Sequence, residues 1–182
     1  IKIDASGAVV IAATTALTSG MDSGGYINID PTDVTIAGTQ SLNADAYVAI
    51  TATGIVTNNG TITTTDASSY VTITAASIVQ NGDITTPTGA SEYVTLNATT
   101  TITDTTDGTT DITTKTLNIT GATNVGADAG ADNVADASWL DTDVVTLNVS
   151  GTTGTAYIYE DSAITLNAVT ATGGFFLTNT IG

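Results

Sequence analysis

Asp104, Asp107 and Asp111 span one predicted turn around Gly108, Asp141 and Asp143 stand two residues apart, and Asp128, Asp132 and Asp136 punctuate a stretch rich in Ala, Asp and Gly. Carboxylates at these spacings suit one chemistry first, the binding of a hard divalent cation such as calcium, which gathers about six to eight oxygen ligands. The chain has neither the EF-hand pattern nor the glycine-rich nonapeptide of calcium-binding β-rolls. Hydrated surface acids account for the same spacings, and a calcium titration read by thermal melting separates the two readings.

The rest of the inventory is narrow. Eighteen acidic residues face only Lys2 and Lys115, with no Arg, His or Cys, for a net charge of -16. Histidine acid-base catalysis, thiolate attack and the Ser-His-Asp relay lack their residues. A glycosidase would need two carboxyl groups about 5 to 9 Å apart with one pKa raised, whereas acids in turns stay hydrated and ionised. A lyase acting on acidic sugars would need basic groups beside its carboxylates. The chain is therefore expected not to be an enzyme. Its charge also argues against nucleic acid as a partner, and against an anionic membrane surface. Without cysteine there is no disulfide framework, and no apolar run approaches the roughly 18 residues of a spanning helix. The chain begins at Ile1 with neither Met nor a signal peptide, so it is expected to be processed or cut from something longer.

The elements that must position these acids follow from a repeated phrase of alternating apolar and polar residues. It runs Ile1-Lys2-Ile3-Asp4-Ala5, Tyr26-Ile27-Asn28-Ile29-Asp30, Tyr47-Val48-Ala49-Ile50-Thr51, Tyr70-Val71-Thr72-Ile73-Thr74 and Tyr93-Val94-Thr95-Leu96-Asn97, then Leu117-Asn118-Ile119, Val144-Val145-Thr146-Leu147-Asn148 and Ala163-Ile164-Thr165-Leu166-Asn167. Taking Ile3, Ile29, Ile50, Ile73, Leu96, Leu117, Leu147 and Leu166 as markers, the steps are 26, 21, 23, 23, 21, 30 and 19 residues. Such a unit is too short for strand-helix-strand and fits one coil of three short strands. The prediction is an all-β chain, a single parallel β-solenoid domain over residues 1–182, with about eight rungs of roughly 23 residues.

Alternation sends Val71, Ile73 and Ala75 inward and Thr72 and Thr74 outward. Stacking then predicts an inner column of Ile27, Val48, Val71, Val94, Val145 and Ile164, and beside it the marker column. A polar ladder is expected at Asp30, Thr51, Thr74, Asn97, Asn118, Asn148 and Asn167, and an aromatic one at Tyr26, Tyr47, Tyr70 and Tyr93. The Asn-Gly pairs at Asn59-Gly60 and Asn81-Gly82 read as corners that need left-handed backbone. The long step predicts an inserted loop near residues 124–140, with Trp139 either a lid on the rung below or an anchor for a partner. Neither end shows a capping element. Ile1 and Ile3 at one end and Phe175 and Phe176 at the other are thus candidate contacts for a neighbour.

The phrases Thr57-Asn58-Asn59-Gly60-Thr61-Ile62-Thr63 and Ile164-Thr165-Leu166-Asn167-Ala168, with the following Thr172–Asn179, resemble the filamentous haemagglutinin-like and giant repeat-containing surface proteins of bacteria. That resemblance implies a right-handed β-helix, export to the cell surface, and service as a stalk, adhesin or extracellular filament. The departures are a missing secretion domain, the scarcity of Lys and Arg, and Lys115 where other rungs place Val. The expected partners are a second copy stacked end to end, or a continuation of the chain, and a cell-surface or carbohydrate receptor. An alternative reading is carbohydrate or ice binding by the outer face, where Thr72, Thr74, Thr95, Asn97, Thr146, Asn148, Thr165 and Asn167 form a two-column array. Sequons at Asn59, Asn97, Asn118 and Asn148 follow from a composition rich in Asn and Thr.

Overall fold

A computed structural model of the chain describes residues 1–11, 16–19, 24–106, 110–130 and 138–179. Every strand pairing among them is parallel, and each strand pairs with its equivalent in the next layer. The result is an all-β solenoid of three faces, with eight strands on the first face marking out about seven turns.

The first face holds Lys2–Asp4, Tyr26–Asp30, Tyr47–Thr51, the leading parts of Tyr70–Gln80 and Tyr93–Thr103, the trailing parts of Ile112–Thr120 and Leu140–Thr152, and Thr165–Ala171. The second runs from Val9–Ile11 through Val34–Ile36, Ile55–Asn58 and Asn124–Val125 to the start of Gly174–Asn179. The third passes through Leu17–Ser19, Ser41–Ala44, Thr61–Thr64, Asp83–Thr85 and the leading parts of Ile112–Thr120 and Leu140–Thr152. β-Branched residues at alternate positions fit this design, because each strand needs only two or three inward side chains to fill its share of a thin core.

Register gives the columns. Ile27, Val48, Val71, Val94, Leu117, Leu147 and Leu166 lie one above another, as do Ile3, Ile29, Ile50, Ile73, Leu96, Ile119, Val149 and Val169. Spacing within the second column is 26, 21, 23, 23, 23, 30 and 20 residues. The expected columns therefore need one correction. Leu117 stands on Val94, so the phrase slips by two residues between the fifth and sixth layers. Ile119 takes the place assigned to Leu117, and Val145 falls outside the core, 37% exposed. Interior members of both columns are fully buried, each worth about 1.5 to 3 kcal/mol of transfer free energy.

The same slip rearranges the polar ladder. Asn97 pairs with Thr120, while Thr95, Asn118 and Asn148 share a column. Asn118 donates its amide to Thr95 Oγ1 at 3.4 Å, Asn148 to Asn118 Oδ1 at 2.9 Å and Asn167 to Asn148 Oδ1 at 2.9 Å. The tyrosine ladder is present as four parallel rings with centroids 5.0 Å apart. Since the ring faces cover one another, these tyrosines pack as a row along the edge of the first face.

The Asn-Gly corners turn without left-handed backbone at Asn59, Gly60, Asn81 or Gly82; the one described non-glycine residue with positive φ is Ser68. Glycine is needed there for a different reason. A Cβ on Gly82 would run into the carbonyl oxygen of Gly60 in the layer below, so successive corners nest with no space for a side chain. The asparagines beside them bond along the axis, Asn81 donating to Asn59 Oδ1 at 2.9 Å.

Candidate functional site: an acidic corner

Between the second and third faces, the corner changes character in the fifth layer. The inward position closing the second face is Ile36, then Asn58 and Gln80, where the Asn58 side-chain N–H donates to Gln80 Oε1 at 3.4 Å. Asp104 follows one residue beyond the paired Val79 and Thr103, and it is 2% exposed. Its Oδ1 accepts the backbone N–H of Thr106 at 2.8 Å and the Thr106 hydroxyl at 2.9 Å, while its buried Oδ2 has no partner.

Across the corner, Asp111 begins the third face. Ile84, Ile112 and Thr142 are register partners, so Asp83, Asp111 and Asp141 follow one another up the adjacent column. Backbone bonds lock this order, Ile84 N–H donating to Asp111 O at 2.7 Å and Asp111 N–H to Asp141 O at 3.2 Å. Asp111 is 1% exposed and neither of its carboxylate oxygens has a donor. Burial is the first cause that pushes its pKa up to about 9; contact with Asp104, and then the charges of Asp141 and Asp83, add to the rise. Two buried carboxylates in contact cannot both stay ionised, and one proton bridging them supplies the missing donor.

The other predicted acids are distributed around this pair. Asp141 is buried and pairs in register with Tyr159, whereas Asp143 is half-buried beside Thr113. Asp107, Asp132 and Asp136 lie outside the described residues. Among the described residues no three acidic side chains are gathered as a ready set of metal ligands. The insertion leaves the second face after Asn124–Val125 and re-enters the third at Leu140, directly above the acid pair. Trp139 is buried there, its ring 5.2 Å from Tyr157, which stacks on Phe176 at 4.9 Å. Ile1 is exposed, and Ile3, Phe175 and Phe176 are half-buried at the two ends.

A further buried acid, Glu160, occupies the inward column that runs through Leu17, Leu42, Ile62, Ile84, Ile112 and Thr142, and it is 0% exposed. Its Oε1 accepts from Val144 N–H at 3.1 Å, Ser162 N–H at 3.0 Å and Ser162 Oγ at 2.8 Å, and its Oε2 from Thr142 Oγ1 at 2.7 Å. Burial raises its pKa and these donors oppose the rise. The sequence does carry a signal for it: alternation through Ala156, Ile158 and Glu160 points the glutamate inward. Glu92 moves the other way, held low first by the backbone N–H of Ser68, with Lys115 adding a smaller pull. The other lysine, Lys2, pairs with Asp4 at 2.9 Å in the open. The charges that act on Asp111 are those of its acidic neighbours Asp104, Asp141 and Asp83.

No family model, no curated protein and no solved structure matches the chain. Its parallel layers of about 23 residues are compatible with a β-helix repeat protein.

Proposed function

We propose that this chain is a structural segment or subunit of an extracellular filament, stalk or adhesin, of the kind formed by haemagglutinin-like repeat proteins. The supporting observation is the contrast between the interior and the ends. From Ile27 to Leu147 the first-face column is fully buried, but Leu166 is 46% exposed. Ile3, Val9 and Leu17 in the first layer, and Val169, Phe175 and Leu177 in the last, are only partly covered. Each terminal layer also presents strand edges of the kind that pair with another strand. Further turns, from a longer chain or from a second copy, would cover these residues and extend the same columns.

Electron microscopy and light scattering of the purified chain test the stacking of copies. Rods longer than one molecule, shortened by Ile3→Asp or by Val169→Asp, are expected; monomers at every concentration would overturn it. Antibody labelling of intact producing cells tests the surface location.

A further inference from the structure

We propose that the last layer of one copy receives the first layer of a second copy head to tail, with Val9, Val10 and Ile11 of the incoming copy pairing in parallel with Phe175, Phe176 and Leu177. Resting on the filament reading above, this contact gives it a partner, a polarity and a register. Val9 stands at the foot of the inward second-face column that continues through Val34, Val56 and Ile78 and ends on Phe175. The outward column beside it begins at Val10, passes Thr35, Thr57, Val79 and Thr103, and ends at Tyr157 and Phe176. An inward column is apolar whatever lies beyond it, but an outward one has no such need. Here the large apolar side chains stand at the two ends. Val10 is 62% exposed, the most open large hydrophobic residue described, and Phe176 is half-buried with its ring stacked on Tyr157 at 4.9 Å. A further layer in the same register sets Val10 on the Phe176 ring, which takes both from water and continues the stack of Trp139, Tyr157 and Phe176.

Charge selects a second copy as the occupant. Residues 162–182 carry no charged side chain, and residues 1–21 carry only Lys2 and Asp4, which pair at 2.9 Å. The net charge of -16 therefore lies wholly between residues 22 and 161. Copies side by side set acidic flanks against one another, whereas copies end to end meet through neutral layers. A basic partner would be drawn to the flanks instead. Contact between the two different ends of one molecule is heterologous, and without closure into a ring it grows as an open fibre.

The chain has no cysteine, so a disulfide can report the contact. Val10→Cys and Phe176→Cys are purified separately, mixed and oxidised; in this register their Cα atoms lie about 4.8 Å apart, within disulfide reach. The mixed dimer is expected to form at least about tenfold faster than dimers of either variant alone, because docking raises the local thiol concentration. Thr57→Cys, in the same column but at mid-rod, is expected to give no such advantage when mixed with Phe176→Cys. Val10→Asp should weaken association by about tenfold or more in sedimentation equilibrium, the loss of one buried valine, and leave the Tm of the monomer unchanged. That variant needs no change at Phe176, so unchanged association would overturn the contact even if Phe176→Cys does not fold. Rods without the mixed disulfide, or a disulfide formed as fast by Val10→Cys alone, overturn this register and leave the filament reading standing. A wild type that stays monomeric at every concentration overturns the contact and the stacking of copies together.

Discussion

Asn148 donates its side-chain amide to Asn118 across adjacent layers at 2.9 Å, and it accepts the same bond from Asn167 at 2.9 Å. Asn148 is thus the middle rung of a side-chain ladder parallel to the backbone one. Asn148→Asp keeps the shape but loses the donor and places a charge against the Asn118 carbonyl oxygen. A loss of about 1 kcal/mol is expected, seen as a Tm about 2 to 4 °C lower. An unchanged melt would mean that the ladder contributes nothing beyond strand pairing.

The acid pair sets a pH dependence whose direction is fixed. Asp111 holds its proton up to about 9 in the folded chain, while the unfolded chain releases it near 4. The folded state binds the extra proton between those values, so its contribution is complete below the lower one and is lost as pH rises through the upper one. Glu160, also raised, acts in the same direction, and Glu92, lowered, acts in the opposite sense on the acid side. In buffer free of divalent cations, Tm is expected to fall steadily from pH 5 to pH 9. Asp111→Asn, with Asp104, Asp141 and Asp83 still facing it, should flatten that slope. A wild-type Tm that is level or rises over this window contradicts the assignment.

Glu160→Ala is expected to be among the most damaging single changes. It strands the donors of Thr142, Val144 and Ser162 and leaves a void in a filled column, together about 3 kcal/mol or more. Glu160→Gln keeps the volume and part of the acceptor set, so it should cost about 1 kcal/mol. Urea unfolding of the two variants side by side reads the difference; equal midpoints would show that the bonds to the carboxylate matter little.

Gly82→Ala puts a methyl group where the corner below already has its backbone, and about 2 kcal/mol of destabilisation is expected from the forced shift. Gly7→Ala meets nothing within 4 Å and should stay within about 0.5 kcal/mol of wild type. Thermal melts of the pair check this, and equal Tm values would mean that the corners are looser than their stacking implies.

The fold was legible because the phrase Tyr-Val-Thr-Ile-Thr and its relatives encode strand, face and layer at once, and the tyrosine row follows from register alone. The two-residue slip at Leu117 was not. Shifting a strand by one residue turns its apolar side chains outward, but a shift of two keeps every side chain on its own face. Leu96-Asn97 and Leu117-Asn118 therefore look equivalent in sequence although their columns differ. At the acid corner the sequence offers Asp104 and Asp111 by their spacing around Gly108, and the two carboxyls do meet there. Their burial depends on how the fifth corner sits between its neighbours, and no local pattern reports that. The Asn-Gly corners were located correctly and explained wrongly, since the demand for glycine comes from the adjacent layer rather than from the residue's own φ.

The parallel pairing that builds the layers also decides how the rod behaves under load. Its inter-strand hydrogen bonds run along the rod axis, so a pull on the two ends opens them one layer at a time, like a zipper, rather than shearing many together. Each opened layer of about 23 residues would release about 70 to 75 Å of slack chain, and the 30-residue step between Ile119 and Val149 would release the most. Loaded from its ends, such a solenoid would lengthen at a limited force in place of snapping.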